Sequence, residues 1–289
     1  MYSAVVEVII SGILLGGLYG TMGIGLSLVF GVMKTINLAH GDLIVLASYI
    51  AYFIMSVYGI DPVIGLAVVV PVMAALGFTL AYWPLDKLTK VSSEAPLLFT
   101  FALSMILENL FLLIFSPYSR GLTTSFSLSS IALGPYYVPF IYLMDFILGV
   151  VMAAILAWIL SSTYTGLAIQ ATSQSSTLAQ MIGINVRLVY AIAFIIAMVI
   201  NAVAGTFVGL TMPFTPDVGA IYLTIAFGVV IIGGLGSILG TMVGGVLLGL
   251  IQTLSSYYLG TGWGTFAIYF VVILIIYLMP RGIMRRIHG

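Results

Sequence analysis

Long apolar stretches separated by short polar segments run from one end of the chain to the other. A membrane-crossing α-helix needs about 20 mostly apolar residues. Stretches of that kind fall at roughly 4–31, 40–57, 62–82, 97–116, 138–161, 188–211, 218–236, 238–258 and 264–280. Between the last two of the middle group, GGLGSILG reads as a tight turn or as a break inside a re-entrant element. The pattern therefore predicts about 8–9 transmembrane helices. The expected fold is all-α: a polytopic membrane protein forming a single transmembrane domain over residues 1–289.

Composition agrees with that pattern. Hydrophobic residues make up 62% of the chain and charged residues 6%, against roughly 25% charged in an average soluble domain. So few polar groups cannot cover a soluble core, and a lipid bilayer is the solvent that suits such a surface. The formal net charge is +0, so nothing draws the chain to nucleic acid. Without cysteine, disulfides and thiolate metal sites are excluded. His40 and His288 are the two histidines, too few for a metal cluster, and no paired serine–base motif appears. Neither an enzyme nor a cofactor is expected. The first residues, MYSAVVEVII, lack a basic leader and carry Glu7, so they read as the start of a retained span.

Basic residues orient the chain. With the N-terminus outside and the C-terminus cytoplasmic, the inner segments hold Lys34, Lys87, Lys90, Arg187, Arg281, Arg285 and Arg286. The outer segments hold Arg120 alone. Gly12, Gly16 and Gly20 recur every fourth residue, as do Gly236, Gly240 and Gly244. That spacing lines one helix face with small residues and permits close helix packing.

Polar residues inside the apolar stretches are the candidate pathway groups. Asn37, His40 and Asp42 sit together in INLAHGD. Asn37 and Asp42 read either as pathway groups or as caps for free backbone N–H groups where a helix begins. His40 reads as a hydrogen-bonded ring or a proton carrier. Glu108, Asp145 and Asn201 fall within predicted spans, where ionisable groups usually face a cavity or a partner. Glu108 and Asp145 have no basic partner in the spans and are expected near the outer boundary, in reach of water, or protonated.

Residues 161–187, SSTYTGLAIQATSQSSTLAQMIGINVR, form the longest polar stretch on the predicted inner side. Ala168, Ala171, Leu178, Ala179, Met181 and Ile182 mix apolar side chains into it. The pattern predicts a short helix over 166–184 that ends at Gly183. Such a helix either closes a loop on the membrane surface or slots into a groove on a soluble partner.

This segment resembles the coupling segment of permeases in branched-chain amino-acid ABC importers of the LivH type. Thr163, Gly166, Ala168, Ala171, Ala179, Gly183, Ile184 and Asn185 fall on that family's pattern. Leu26–Tyr52 is similar to its first-to-second-span junction, Val229–Gln252 to its glycine-rich late segment, and Pro280–Ile283 to its exit from the last span. The segment departs from the family in charge. Ser162, Tyr164, Leu167 and Gln170 stand where arginine is common, and Gln174–Thr177 where an acid is common.

The resemblance implies a translocation subunit coupled to ATP hydrolysis elsewhere. Its implied partners are two ATP-binding-cassette ATPase subunits, a second related permease chain or a copy of itself, and an extracytoplasmic substrate-binding protein. The phosphate loop G-x-x-x-x-G-K-[ST] does not occur in this chain, so ATP is expected to act on another polypeptide. Coupling would run through Gly166, Ala168, Ala171, Leu178, Ala179, Gly183, Ile184 and Asn185, with Ala171, Ala179 and Gly183 in closest contact. Branched-chain or other amino acids are the implied substrates, with urea or short amides as alternatives. A different class, an ion-coupled secondary transporter, would use Glu108, Asp145 and His40 for coupling.

Overall fold

The computed structural model describes residues 2–92, 94–127, 129–134 and 136–278. The basic C-terminal residues Arg281, Arg285 and Arg286, and the Pro280–Ile283 motif, lie outside these. Helices begin where the sequence supplies a cap. Asp61 accepts from the Val63 N–H at 2.9 Å, with Pro62 in the first turn, and starts α3 (Pro62–Leu80). Ser237 accepts from the Gly240 N–H at 3.1 Å and starts α11 (Ile238–Leu259). Asn185 accepts from the Leu188 N–H at 3.2 Å and starts α9 (Val186–Thr211). Each side chain satisfies a donor that the helix itself leaves free.

The other helices are α1 (Tyr2–Met33), α2 (His40–Tyr58), α4 (Asp86–Leu88), α5 (Ala95–Phe115), α6 (Phe140–Ser162), α7 (Tyr164–Gln174), α8 (Ser176–Met181), α10 (Gly219–Gly233) and α12 (Thr261–Leu278). A π-helical turn over Ala81–Leu85 joins α3 to α4. A small antiparallel hairpin, β1 (Ser130–Leu133) and β2 (Tyr136–Pro139), precedes α6.

Among the described residues, eight helices are long and apolar enough to cross a membrane. The expected seventh span, 218–236, is instead the 15-residue α10. At 1.5 Å per residue it covers about 22 Å, less than a hydrocarbon core of about 30 Å. The chain still reverses on each side of it. Gly233 packs on Gly240 and Val229 on Gly244, so α10 and α11 run antiparallel. The GGLGSILG segment between them is a tight turn, with Gly234 and Gly236 at φ 92° and 86°. Gly236 therefore serves that turn rather than a helix face, and its N–H donates to Ser27 Oγ at 3.2 Å.

Helix α1 is the buried spine of the bundle, and the outward faces of α3, α5, α6 and α12 carry the exposed apolar side chains. Glycine is what lets α11 lie against α1. A methyl group on Gly16, Gly245 or Gly249 would collide with backbone of the facing helix, and one on Gly12 with the Thr253 hydroxyl. Lys34, Lys90 and Arg187 line neighbouring pockets at one end of the molecule, sharing Thr89, Ser176 and Tyr190. Arg120 follows α5 at the other end, about 30 Å of helix away.

Candidate functional site

The INLAHGD segment builds a broken junction inside the bundle. Leaving α1, the chain turns at Lys34, a non-glycine residue at φ 54°. It then runs without helical bonds until His40. His40 Nε2 lies 2.8 Å from the Met22 carbonyl oxygen. Met22 sits about 16 Å up α1 from its Met33 end, so α2 starts deep in the bundle rather than at its surface. Irregular backbone at that depth must find partners inside the protein. Asn37 Oδ1 accepts from the Ala39 N–H at 3.1 Å, its carbonyl from the His40 N–H at 3.3 Å, and Thr100 Oγ1 from the Leu38 N–H at 3.1 Å.

A carbonyl oxygen only accepts, so His40 Nε2 carries the proton and donates to Met22. Its Nδ1 is then the acceptor for the Asn201 side-chain amide at 3.3 Å. The ring is fully buried and ties α2 to α1 and α9, with both nitrogens engaged. Asn201 Oδ1 has no hydrogen-bond partner among the described residues.

The N-cap residue of α2, Ala39, has no side chain able to cap, and its N–H is met by Asn37; Asp42 also reaches across to other helices. Its Oδ2 accepts from the Ser104 hydroxyl on α5, and its other oxygen lies against Gly219 at the start of α10. Gly41 in turn abuts the Gly219 carbonyl. Two helix starts thus converge on one carboxylate, where their positive dipole ends favour negative charge. Glu108, half-buried, lies one turn beyond Ser104 and within electrostatic reach of Asp42. The next residues on that face, Phe111 and Phe115, pack on Tyr49 with ring centroids 4.9 and 4.3 Å away. Asp42, Ser104, Glu108 and the Tyr49 cluster therefore form one continuous α2–α5 seam. Asp145 lies outside it, between α6 and α9. It is 1% exposed and accepts from Thr211 Oγ1 at 2.8 Å, so of its two expected settings the one in reach of water does not hold.

At the lysine-bearing end, the expected single helix over 166–184 is two. Thr163 caps α7, accepting from the Gly166 N–H at 3.0 Å, and Ser175 breaks the run in extended conformation and caps α8. The run ends at Gly183, φ 87°, with the Ile184 N–H donating to the Ala179 carbonyl at 3.0 Å. Gly166, Ile169 and Ala179 face the body of the protein. Ala179 is 2% exposed, so its side chain is already spent on internal packing and is not free for close contact with another protein. A methyl group on Gly183 would meet open space, Ala168 and Ala171 are half-buried, and Asn185 serves as the cap of α9. The exposed side carries large apolar groups, Tyr164, Leu167, Leu178, Met181 and Ile182, with Met181 at 78%, interspersed with Gln170, Gln174, Thr177 and Gln180.

One cluster beside these helices joins segments far apart in the chain. Arg187, in the first turn of α9, donates through Nε and Nη2 to the Tyr82 carbonyl at 3.1 and 2.8 Å. Its guanidinium carbon lies 3.7 Å from the centre of the Tyr82 ring. Nε also lies 3.4 Å from the buried Asp86, which pairs with Lys90 at 2.8 Å. The only sequence hint was the Asp86–Lys90 spacing of four; Tyr82 and Arg187 are 105 residues apart.

Residues 8–279 match the family described as branched-chain amino acid transport system / permease component. The chain belongs to this family. It is a membrane-embedded permease component of a transport system. The permease protein BraD of the high-affinity branched-chain amino acid transport system of Pseudomonas aeruginosa is 25% identical over 96% of this chain and 95% of its own length. LivH of Escherichia coli K12, a permease protein of the same description, is 28% identical over 96% and 94%. A probable LivH permease of Methanocaldococcus jannaschii is 27% identical over 88% and 82%. Among solved structures, PsaBC from Streptococcus pneumoniae in complex with Fab superposes with a TM-score of 0.49 at 13% identity, over 95% of this chain and 91% of that one.

Proposed function

We propose that the chain is one translocation subunit of an ATP-binding-cassette importer, of the LivH kind, for branched-chain or other amino acids. Its partners in this reading are two ATPase subunits, a second permease chain or a copy of itself, and an extracytoplasmic binding protein. One observation carries it beyond the family assignment. Helices α7 and α8 are anchored on one side by Gly166, Ile169 and Ala179 and present Tyr164, Leu167, Leu178, Met181 and Ile182 on the other. Large apolar groups exposed on a polar segment at the end of a bundle mark an interaction surface. From Gly166 to Asn185 there is no charged residue, so the contact rests on apolar burial and on hydrogen bonds from Gln174 and Gln180, the amide of Gln170 being spent on the Leu160 carbonyl. Movement of α8 passes directly to α9 through the Gly183 turn and the Asn185 cap. At the far end of this path, the α2–α5 seam of Asp42, Ser104 and Glu108 is the proposed pathway wall, with Asn37, His40 and Asn201 holding its helix start in place.

The test is a paired substitution, Leu178→Asp with Met181→Asp. Both side chains are exposed, so the chain is expected to insert and fold. Co-purification with the ATPase and uptake should both be lost. Retention of both after the two changes would remove α8 as the coupling surface. Raising salt should weaken the wild-type complex little, because there is no ion pair in this segment to screen.

A further inference from the structure

At the end of the molecule opposite the coupling helices, a second cluster has unspent polar groups. Arg120 is lodged among aromatic rings. Its Nη1 donates to the Tyr52 hydroxyl and its Nη2 to the Phe115 carbonyl, both at 3.1 Å. The Tyr52 ring centre lies 5.3 Å from the guanidinium carbon. The third arm, Nε, is buried and makes no hydrogen bond among the described residues. The Arg120 backbone pairs in both directions with Phe214, at 2.9 and 2.8 Å.

Tyr49, two helical turns beyond Asp42 on α2, shares both of these neighbours. Its ring stacks on Phe115 at 4.3 Å and meets Phe214 edge-on at 5.0 Å. Its hydroxyl is buried and also has no hydrogen-bond partner among the described residues. Arg120 and Asp217 are the charged groups within electrostatic reach of that hydroxyl. Asp217, just before α10, is exposed, and neither it nor Arg120 forms an ion pair among the described residues.

Buried donors are almost always paired in native proteins, and an unpaired one calls for an absent partner. Two such donors lie here, one on a cation, with a free carboxylate nearby and aromatic faces between. A complementary ligand presents a carboxylate to Arg120 and Tyr49, a cationic amine to Asp217, and an apolar remainder to Phe115 and Phe214. We propose that Arg120, Tyr49 and Asp217 form a recognition site for the zwitterionic head of an amino acid on its way into the pathway. The site rests on the amino-acid importer reading and adds residues to it that no sequence motif marked. It precedes the α2–α5 seam, because Tyr49 and Asp42 share one face of α2.

The substitution Tyr49→Phe tests it, since it deletes only the unbonded oxygen and keeps the ring stack. In the complete importer, with its ATPases and binding protein, leucine uptake should fall about tenfold, the loss of one charge-assisted hydrogen bond. Basal ATP hydrolysis, capture of the binding protein and thermal stability should match the wild type. Arg120→Lys and Asp217→Asn should also lower uptake. Wild-type uptake by Tyr49→Phe overturns the site and leaves the importer reading standing. A loss of stability or of binding-protein capture that accounts for the lower uptake also overturns it, since the hydroxyl would then be structural or a docking group. A wild-type complex that imports no amino acid removes the reading itself, and the site with it.

Discussion

At the scale of single residues, the molecule uses its few polar groups inside the bundle as joints. His40 is spent on Met22 and Asn201, and Asn37 on the backbone beside it. Asp42 and Glu108 are the acids left facing one another across α2 and α5. Glu108→Gln should leave the fold unchanged and lower uptake several-fold if the seam is the pathway wall; unchanged uptake in a vesicle assay would take Glu108 out of it. Gly41 is constrained differently. A methyl group there collides with the Gly219 carbonyl, which is backbone and cannot swing aside. Gly41→Ala should cost at least about 1–3 kcal/mol, as overpacking does, and push the starts of α2 and α10 apart. A melting temperature equal to the wild type in detergent would show that this junction tolerates a wider spacing.

At the scale of elements, Arg187 adds polar bonds to a contact that α3 and α9 also make through Gly77 against Phe194 and Met198. It holds α9 to the π-helical turn below α3, where Pro84 interrupts regular helix bonding. Arg187→Ala removes two hydrogen bonds from a charged donor, and each such bond contributes about 1.5–3 kcal/mol. Partial exposure of Arg187 places the loss at the low end of that range. Lysine at this position keeps the charge but not the planar stack on Tyr82. The expected order of thermal stability is wild type, then Arg187→Lys, then Arg187→Ala. If α9 carries movement from α8 into the bundle, Arg187→Ala should also raise the ATP hydrolysed per substrate imported. An unchanged ratio would confine Arg187 to a structural role.

At the scale of the whole molecule, the two ends differ in charge and in construction. One end gathers Lys34, Lys90 and Arg187 around the coupling helices, and the other carries Arg120 and the hairpin. The positive-inside rule then predicts a cytoplasmic C-terminus and an external N-terminus. A reporter fused after Gly289 should be active only in the cytoplasm, and activity on the outside would reverse every assignment of inner and outer face. Energy coupling belongs to the same scale. The chain reconstituted alone should import nothing, whether given ATP or an ion gradient. Gradient-driven uptake by the isolated chain would favour an ion-coupled secondary transporter.

Much of this architecture was legible along the chain, for a physical reason. In lipid, backbone groups must be satisfied within a segment, so each long apolar run becomes a helix almost regardless of its neighbours. The stop at Gly183 is equally local. The caps at Asp61, Asn185 and Ser237 satisfy groups a few residues away too, but they are not among the sequence-based expectations, which place Asn185 in the coupling contact. What the chain alone left open was decided by contacts between distant segments. Whether 218–236 crosses fully depended on where Gly219 could seat beside Asp42, and the result is a short helix. The inward turn of Ala179 and the outward turn of Met181 depended on which side of α8 met the bundle. The partners of Asp42, His40, Tyr49, Arg120 and Arg187 lie on other helices, dozens of residues away. Hydropathy reports the affinity of a residue for lipid or water. It carries no record of which buried polar group will face which, and only tertiary packing settles that.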